Sequence, residues 1–442
     1  MAAVAGGGRL APAASARAKY GRGPGGGKPC CWGVHKACRC CPNSASRLGR
    51  SKRGARCVHF ADLGTALIEY QRDTTHLTIF YICPWSPHPT GGIKQIFRHV
   101  EALHDAGFDA YVLALESTMP SWFDSSAAVA RLSSRRRFWD LRRASRRKNQ
   151  IPWLTGAVGP EVHIERRGQQ PLARRLGADD IIVLPEYFGK ALQPCGFGSK
   201  LVVFNQNAHY TFTGFAHSDL AENFIYRGHV LGALGVSRHI CDYLSFAFRD
   251  LSVLLTPNGV DASRFFPQGE KKKQIAFMPR KLPTSIVQVL QILRSRGALE
   301  GWTLCPIDGM SEAEVALRLR ESAIFLSTCH DEGFGLPPLE AGASGCVVVG
   351  YTGYAAREFM LPQYCYPVPQ GDVLEFAQTL ERVLVEYSGN PQRLQQQAAD
   401  YVDFLRTHYS KDAESRSVVA AWSQLCGPAA QRNQREVTVP RV

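Results

Sequence analysis

Asp331-Glu332-Gly333-Phe334-Gly335-Leu336-Pro337-Pro338-Leu339-Glu340-Ala341-Gly342-Ala343-Ser344-Gly345 decides how this chain is read. Upstream, Ala323-Ile324-Phe325-Leu326-Ser327 is an apolar run of strand length, and downstream Cys346-Val347-Val348-Val349 is another. The order strand, glycine-containing loop, helix, strand is that of a parallel sheet with ligand-binding loops at its strand ends. Pro338 fits the first helical turn, where a missing N–H costs no hydrogen bond. The glycines allow bare backbone N–H groups to approach a ligand, and the helix start behind them suits phosphate. Glu332 and Glu340 would repel phosphate, so hydroxyl groups are their expected partners. The duller alternative is a loop and cap of any α/β domain, with Glu340 merely solvated.

Working outward, Asn258-Gly259-Val260-Asp261, Met278-Pro279-Arg280-Lys281, Thr90-Gly91-Gly92-Ile93 and Glu358 complete a pattern. In that order they resemble the retaining glycosyltransferases of family 4, whose signature is E-x7-E, here Glu332 to Glu340. The likeness covers roughly residues 76–425 and is most specific over 256–360. It implies the GT-B fold: two Rossmann-like β/α/β domains facing across a cleft. The expected organisation is a disordered extension (1–73), an N-terminal acceptor-side domain (74–256), a C-terminal nucleotide-sugar domain (257–425) whose last helix crosses back, and a loose tail (426–442).

Composition bounds the rest. The net charge of +14 sits mostly in residues 1–60, which hold twelve Lys/Arg and no acid, leaving 40 basic against 38 acidic residues. Six of the fourteen cysteines lie in this leader, and the other eight are scattered singly, as expected of reduced thiols in a cytoplasmic protein. The spacing of Cys30, Cys31, Cys38, Cys40 and Cys41 fits no zinc motif, and Gly21 to Gly26 matches G-x-G-x-x-G without a strand before it or a helix after it. A basic arm for nucleic acid or membrane is the alternative to disorder, and no nucleic-acid partner is expected. No run approaches the roughly 20 apolar residues of a membrane span.

Thr78–Ile82, 110–115, 181–184, 201–204, 253–255 and 275–278 read as strands. Ile93, Ile96, Phe97, Val100 and Leu103 recur at helical spacing, and helices are expected from Ser311 to about 322, over 372–388 and over 391–425. The Arg-rich stretch 131–148, with Phe138 and Trp139 among its cations, reads as a solvated insertion or as a contact with an anionic membrane or lipid-linked acceptor.

The resemblance implies a sugar transferred from a nucleotide-sugar donor to a glycan or lipid-linked acceptor, in cell-surface polysaccharide or glycoconjugate synthesis; the enzyme is expected in the cytoplasm, with a peripheral position at the inner face of the membrane as one option. No D-x-D occurs, so no metal is expected. Arg280 and Lys281 with the N–H groups from Gly333 through Phe334 and Gly335 to Leu336 would offset the diphosphate charge. Glu340 would hold the ribose diol and Glu332 the hydroxyls of the sugar. Gly91 and Gly92 would line the donor from the other domain, where His209, or Asn207 in its place, would meet the sugar. Alternatives on the same fold are a nucleotide-sugar epimerase or hydrolase and a non-catalytic glycan-binding protein.

Overall fold

The structure, a computed structural model, describes residues 77–427 apart from 85–89, 115–121, 134–151, 166–169, 220, 221, 223 and 281. The leader 1–73, Lys281 and most of the Arg-rich stretch 131–148 lie outside the described residues.

Among the described residues the first sheet contains β1 (Thr78–Cys83), β2 (Ala110–Ala114), β3 (Val129–Leu132), β4 (Glu161–Glu165), β5 (Leu172–Arg175), β6 (Asp180–Pro185), β7 (Lys200–Asn205), β8 (Gly232–Gly235) and β9 (Val253–Leu255). Their order across the sheet is β5-β4-β3-β2-β1-β6-β7-β8-β9. Pairing is parallel from β3 to β9, while β4 and β5 are added antiparallel at one edge. β1 and β6 are buried at every position, which is why they read as unbroken apolar runs and not as alternations.

The second sheet contains β10 (Lys272–Phe277), β11 (Thr303–Pro306), β12 (Ser322–Cys329), β13 (Val347–Thr352) and β14 (Tyr366–Val368), ordered β11-β10-β12-β13-β14 and parallel throughout. Helix Glu312–Glu321 before β12 begins in a reciprocal cap, Ser311 and Glu314 satisfying each other's backbone N–H groups.

The C-terminal end differs from the expected single helix over 391–425. Helix Pro391–His408 stops at Tyr409, and a new helix, Lys411–Cys426, starts from the Ser410 cap. The break has a cause in the crossover. Val260 N–H donates to Tyr409 O at 2.7 Å and Lys411 N–H to Val260 O at 3.1 Å, so the chain must leave helical geometry to pair with Val260. A Cβ on Gly259 would lie 2.3 Å from Ser410 O, which explains a glycine there.

The last helix does return to the first sheet. Trp422 Nε1 donates to Tyr81 Oη at 2.8 Å, and the Arg98 guanidinium on helix Gly91–Asp105 lies 2.6 Å from the Glu414 carboxylate. Arg98 also donates to Gly259 O, and Gly259 N–H donates to Glu414. One buried node thus ties the first helix, the crossover and the last helix together.

Candidate active site

Both sheets have a topological switch point, where successive connections leave a strand in opposite directions and open a crevice at the carboxyl ends. In the second sheet it lies between β10 and β12. Arg280 follows β10 and is exposed, and loop His330–Gly335 follows β12. In the first sheet it lies between β1 and β6, bordered by Gly91, Gly92 and Glu186.

Loop His330–Gly335 is built under constraint. Asp331 takes φ 48°, a left-handed conformation that few non-glycine residues adopt, and Gly335 takes φ 94° as the residue before helix Leu336–Ala343. Pro337 and Pro338 fall within the first turn of that helix, as their missing N–H groups permit. Glu332 is half-buried and its Oε2 accepts from Cys329 Sγ at 3.4 Å. Beside it lies a small crevice walled by Met278, Thr328, Cys329, Pro337 and Pro338, at the β10–β12 switch point.

Glu340, one turn into the helix, sits among charges. Burial pushes its carboxyl up to about 7, with Lys94 and Arg98 pulling it down and Glu312 adding to the rise. Lys94 and Arg264 both pair with Glu312, so this end of the site joins helix Gly91–Asp105 to the second domain.

The two domains meet at the loops. A Cβ added to Gly333 would fall 1.7 Å from Gln206 O, and one added to Gly91 would fall 2.7 Å from Leu336 Cδ1. Gln206 Nε2 donates to Gly92 O at 3.1 Å, and Asn207 Nδ2 donates to Asp331 O at 2.8 Å. His209 N–H donates to Asn207 Oδ1, and its Nε2 lies 3.6 Å from Asp331 Oδ1. The Tyr354 ring stands near His209 (5.6 Å between centroids) and stacks on His239 (5.2 Å).

Of the residues picked out in the sequence, Gly91, His209, Gly333 and Leu336 meet across one seam, Gly92 is held by Gln206 beside it, Glu332 and Gly335 belong to the same loop, Glu340 lies a turn further on, and Arg280 follows β10. Two other residues of the pattern have side-chain partners of their own. Phe334 is 4 % exposed and its ring packs against Phe359 and Tyr409. Glu358 accepts from His239 N–H at 3.0 Å and so caps helix Arg238–Ala247 of the other domain, where its negative charge suits the helix start. Burial raises its carboxyl pKa, against the pull of the His239 and Arg238 N–H groups.

Sequence reasoning missed Gln206, Glu186, Lys94, His239 and Tyr354. Only their positions just after strands or in the first turn of a helix hinted at them. Among the described residues no cluster of His, Cys, Asp and Glu could hold a metal ion, and no helix is long and apolar enough to cross a membrane.

This architecture is that of the GT-B fold. A mutant of S. aureus TarM, solved with fondaparinux, alpha-GlcNAc-glycerol and UDP, superposes at TM-score 0.54 with 10% identity over 79% of this chain and 99% of that one. Anabaena Alr3699/HepE with UDP and glucose gives 0.52, 12%, 79% and 100%. Residues 306–401 match the family model of glycosyl transferases group 1. An alpha-1,6-glucosyltransferase of Actinobacillus pleuropneumoniae is 29% identical over 199 residues, 40% of this chain and 54% of the relative, so the match spans about half of that protein.

Proposed function

We propose that the chain is a glycosyltransferase that moves a sugar, with retained configuration and without a metal, from a nucleotide-sugar donor to a glycan or lipid-linked acceptor. The observation that carries this reading is the seam itself. Two switch-point crevices face each other, and loop 331–336 of one lies on the backbone of residues 206–207 of the other. A donor held there would have its diphosphate on the second domain and its sugar between the two.

Transfer must expel a nucleoside diphosphate whose negative charge grows as the glycosidic bond breaks. Fixed positive groups at the diphosphate lower that barrier. Arg280 and the N–H groups from Gly333 to Leu336 can supply them, and Lys281 is assigned to the same task by its place in the motif. Glu340 would accept from the ribose diol and Glu332 from the sugar hydroxyls, gripping the donor at both ends and aligning the anomeric carbon. His209, exposed on the opposite wall, would face the sugar. No carboxylate among those bordering the seam is placed as an obvious nucleophile, so attack from the leaving-group face is the natural course.

Calorimetry with UDP, the diphosphate in the S. aureus and Anabaena structures, tests the division of labour. Glu340→Gln should weaken UDP binding roughly 10- to 150-fold, the loss of a charge-assisted hydrogen bond of about 1.5–3 kcal/mol. Glu332→Gln should leave UDP affinity within about threefold and lower turnover of the intact donor. Equal loss of UDP affinity in both variants would remove Glu332 from the sugar.

A further inference from the structure

His209 belongs to the first domain, and two side chains of the second domain stand against its ring. Its Nε2 lies 3.6 Å from Asp331 Oδ1, and the Tyr354 ring is 5.6 Å away between centroids. The other oxygen of the same carboxylate, Asp331 Oδ2, lies 3.3 Å from His330 Nε2. Gln370 Nε2 donates to His330 Nδ1 at 3.0 Å, so a neutral His330 carries its hydrogen on Nε2, towards Asp331. The Asp331 carboxylate is thus set between two imidazoles, one from each domain. The backbone closes the circuit. Asp331 O accepts from Asn207 Nδ2 at 2.8 Å, and Asn207 Oδ1 accepts from His209 N–H at 3.0 Å. Asp331 and His209 are therefore joined twice, through Asn207 and through their own side chains.

Stability does not account for this carboxylate. The Asp331, His209 and His330 side chains are each about half exposed, where such contacts add little. The backbone does not ask for an acid either: Asp331 takes φ 48°, which glycine adopts without steric cost. What the carboxylate does supply is a fixed acceptor for His209. An imidazole whose Nε2–H faces a carboxylate is held in one tautomer and one orientation, which leaves Nδ1 for a hydroxyl. We propose that Asp331 is a positioning residue for sugar transfer, its carboxylate holding the His209 ring across the seam in the orientation that meets the donor sugar. This rests on the glycosyltransferase reading above. The 3.6 Å gap exceeds hydrogen-bond length, and tightening of the seam by under about 1 Å around a bound donor closes it. His209 then takes its working orientation only where loop 331–336 meets residues 206–209, so the sugar contact is completed by both domains together.

The experiment compares wild type, Asp331→Gly, His209→Ala and the double variant. Each is measured by initial rates with a panel of nucleotide sugars, UDP calorimetry, thermal melting and long-range proton–nitrogen spectra of histidine-labelled protein. Glycine suits the left-handed backbone, so Asp331→Gly should melt within about 3 °C of wild type. It should lower kcat roughly 10- to 100-fold and keep UDP affinity within about threefold. Its His209 resonances should change from a single tautomer to a mixture. In the His209→Ala background the same substitution should change kcat less than about twofold, because Asp331 acts through that ring. Losses that multiply in the double variant, an Asp331→Gly enzyme with wild-type kcat, or His209 resonances that do not change would each overturn the assignment. Asp331→Asn, which tolerates the same backbone, carries the cycle if Asp331→Gly does not fold. Failure of the wild type to turn over any of the sugars would sink the transferase reading. The spectra would then still decide whether Asp331 holds His209.

Discussion

Gly333→Ala isolates the closed seam from everything else in the fold. Gly333 has no left-handed φ, so alanine costs nothing in its own backbone. The new methyl would instead stand 1.7 Å from Gln206 O and 2.9 Å from Asn207 Cα, both backbone atoms of the other domain. Ordinary contact begins near 3.4 Å, so the two surfaces must part by about 1.7 Å. The least costly relief is a slightly open cleft, which leaves both cores intact. A misplacement of about 1 Å at reacting groups can cost about 100-fold in rate, equivalent to about 2.7 kcal/mol of barrier. Initial rates should therefore fall at least about 100-fold. UDP affinity should hold within about threefold and the melting temperature within about 2 °C. A variant that turns over at near wild-type rate would show that this contact is not the catalytic geometry. A large fall in melting temperature would show that the loop and not the domain angle absorbs the methyl.

Other consequences follow from buried charge. Glu414→Ala leaves Arg98 without its carboxylate and Gly259 N–H without its acceptor, and should cost about 3–5 kcal/mol in chemical unfolding. Burial raises Glu414 to about 7, more than the attraction of Arg98 lowers it. A raised folded-state value means stability that is full below about pH 4.5 and is lost as pH climbs through about 7, worth about 3 kcal/mol for this one group. In urea melts between pH 5 and 8, wild type should lose more stability than Glu414→Gln by roughly that amount, the variant being flatter. Excess EDTA should leave transfer rates unchanged; loss restored by magnesium or manganese would overturn the assignment of the diphosphate charge to Arg280 and the N–H groups from Gly333 to Leu336.

The second sheet and its loop were readable because β12 and β13 are unbroken apolar runs separated by residues with few backbone choices, Gly335, Pro337 and Pro338 among them. β4 and β5 escaped notice for the opposite reason. Glu161–Glu165 and Leu172–Arg175 lie at a sheet edge and carry charge along much of their length, so apolar pattern says little about them. β8 begins and ends in glycine, and helix Arg238–Ala247 buries only Ile240 and Leu244. The split of the final helix depends on Val260, some 150 positions away, which local pattern does not encode. The same holds for the site. Glu332, Glu340 and the glycines were visible in one segment, whereas Asp331 with His209, or Tyr354 with His239, become neighbours only when strands order. The packing of the Phe334 ring on Phe359 and Tyr409 is likewise absent from local pattern, because it depends on residues 25 and 75 positions away.

The chain crosses between its two sheets twice, after β9 and again at Tyr409–Ser410, and the crossings lie side by side, bonded at Val260 and packed without room for a side chain on Gly259. A single linker would leave three rotations open. Two adjacent, bonded linkers act as a door hinge: swing about one axis remains soft, while twist and sliding must strain hydrogen bonds or force Gly259 into Ser410. Any opening and closing of the seam would then retrace one path. Loops 331–336 and 206–209 would then meet in one register, and in the proposed transfer an error in the hinge would be expressed far from itself, as lost alignment at the reacting bond.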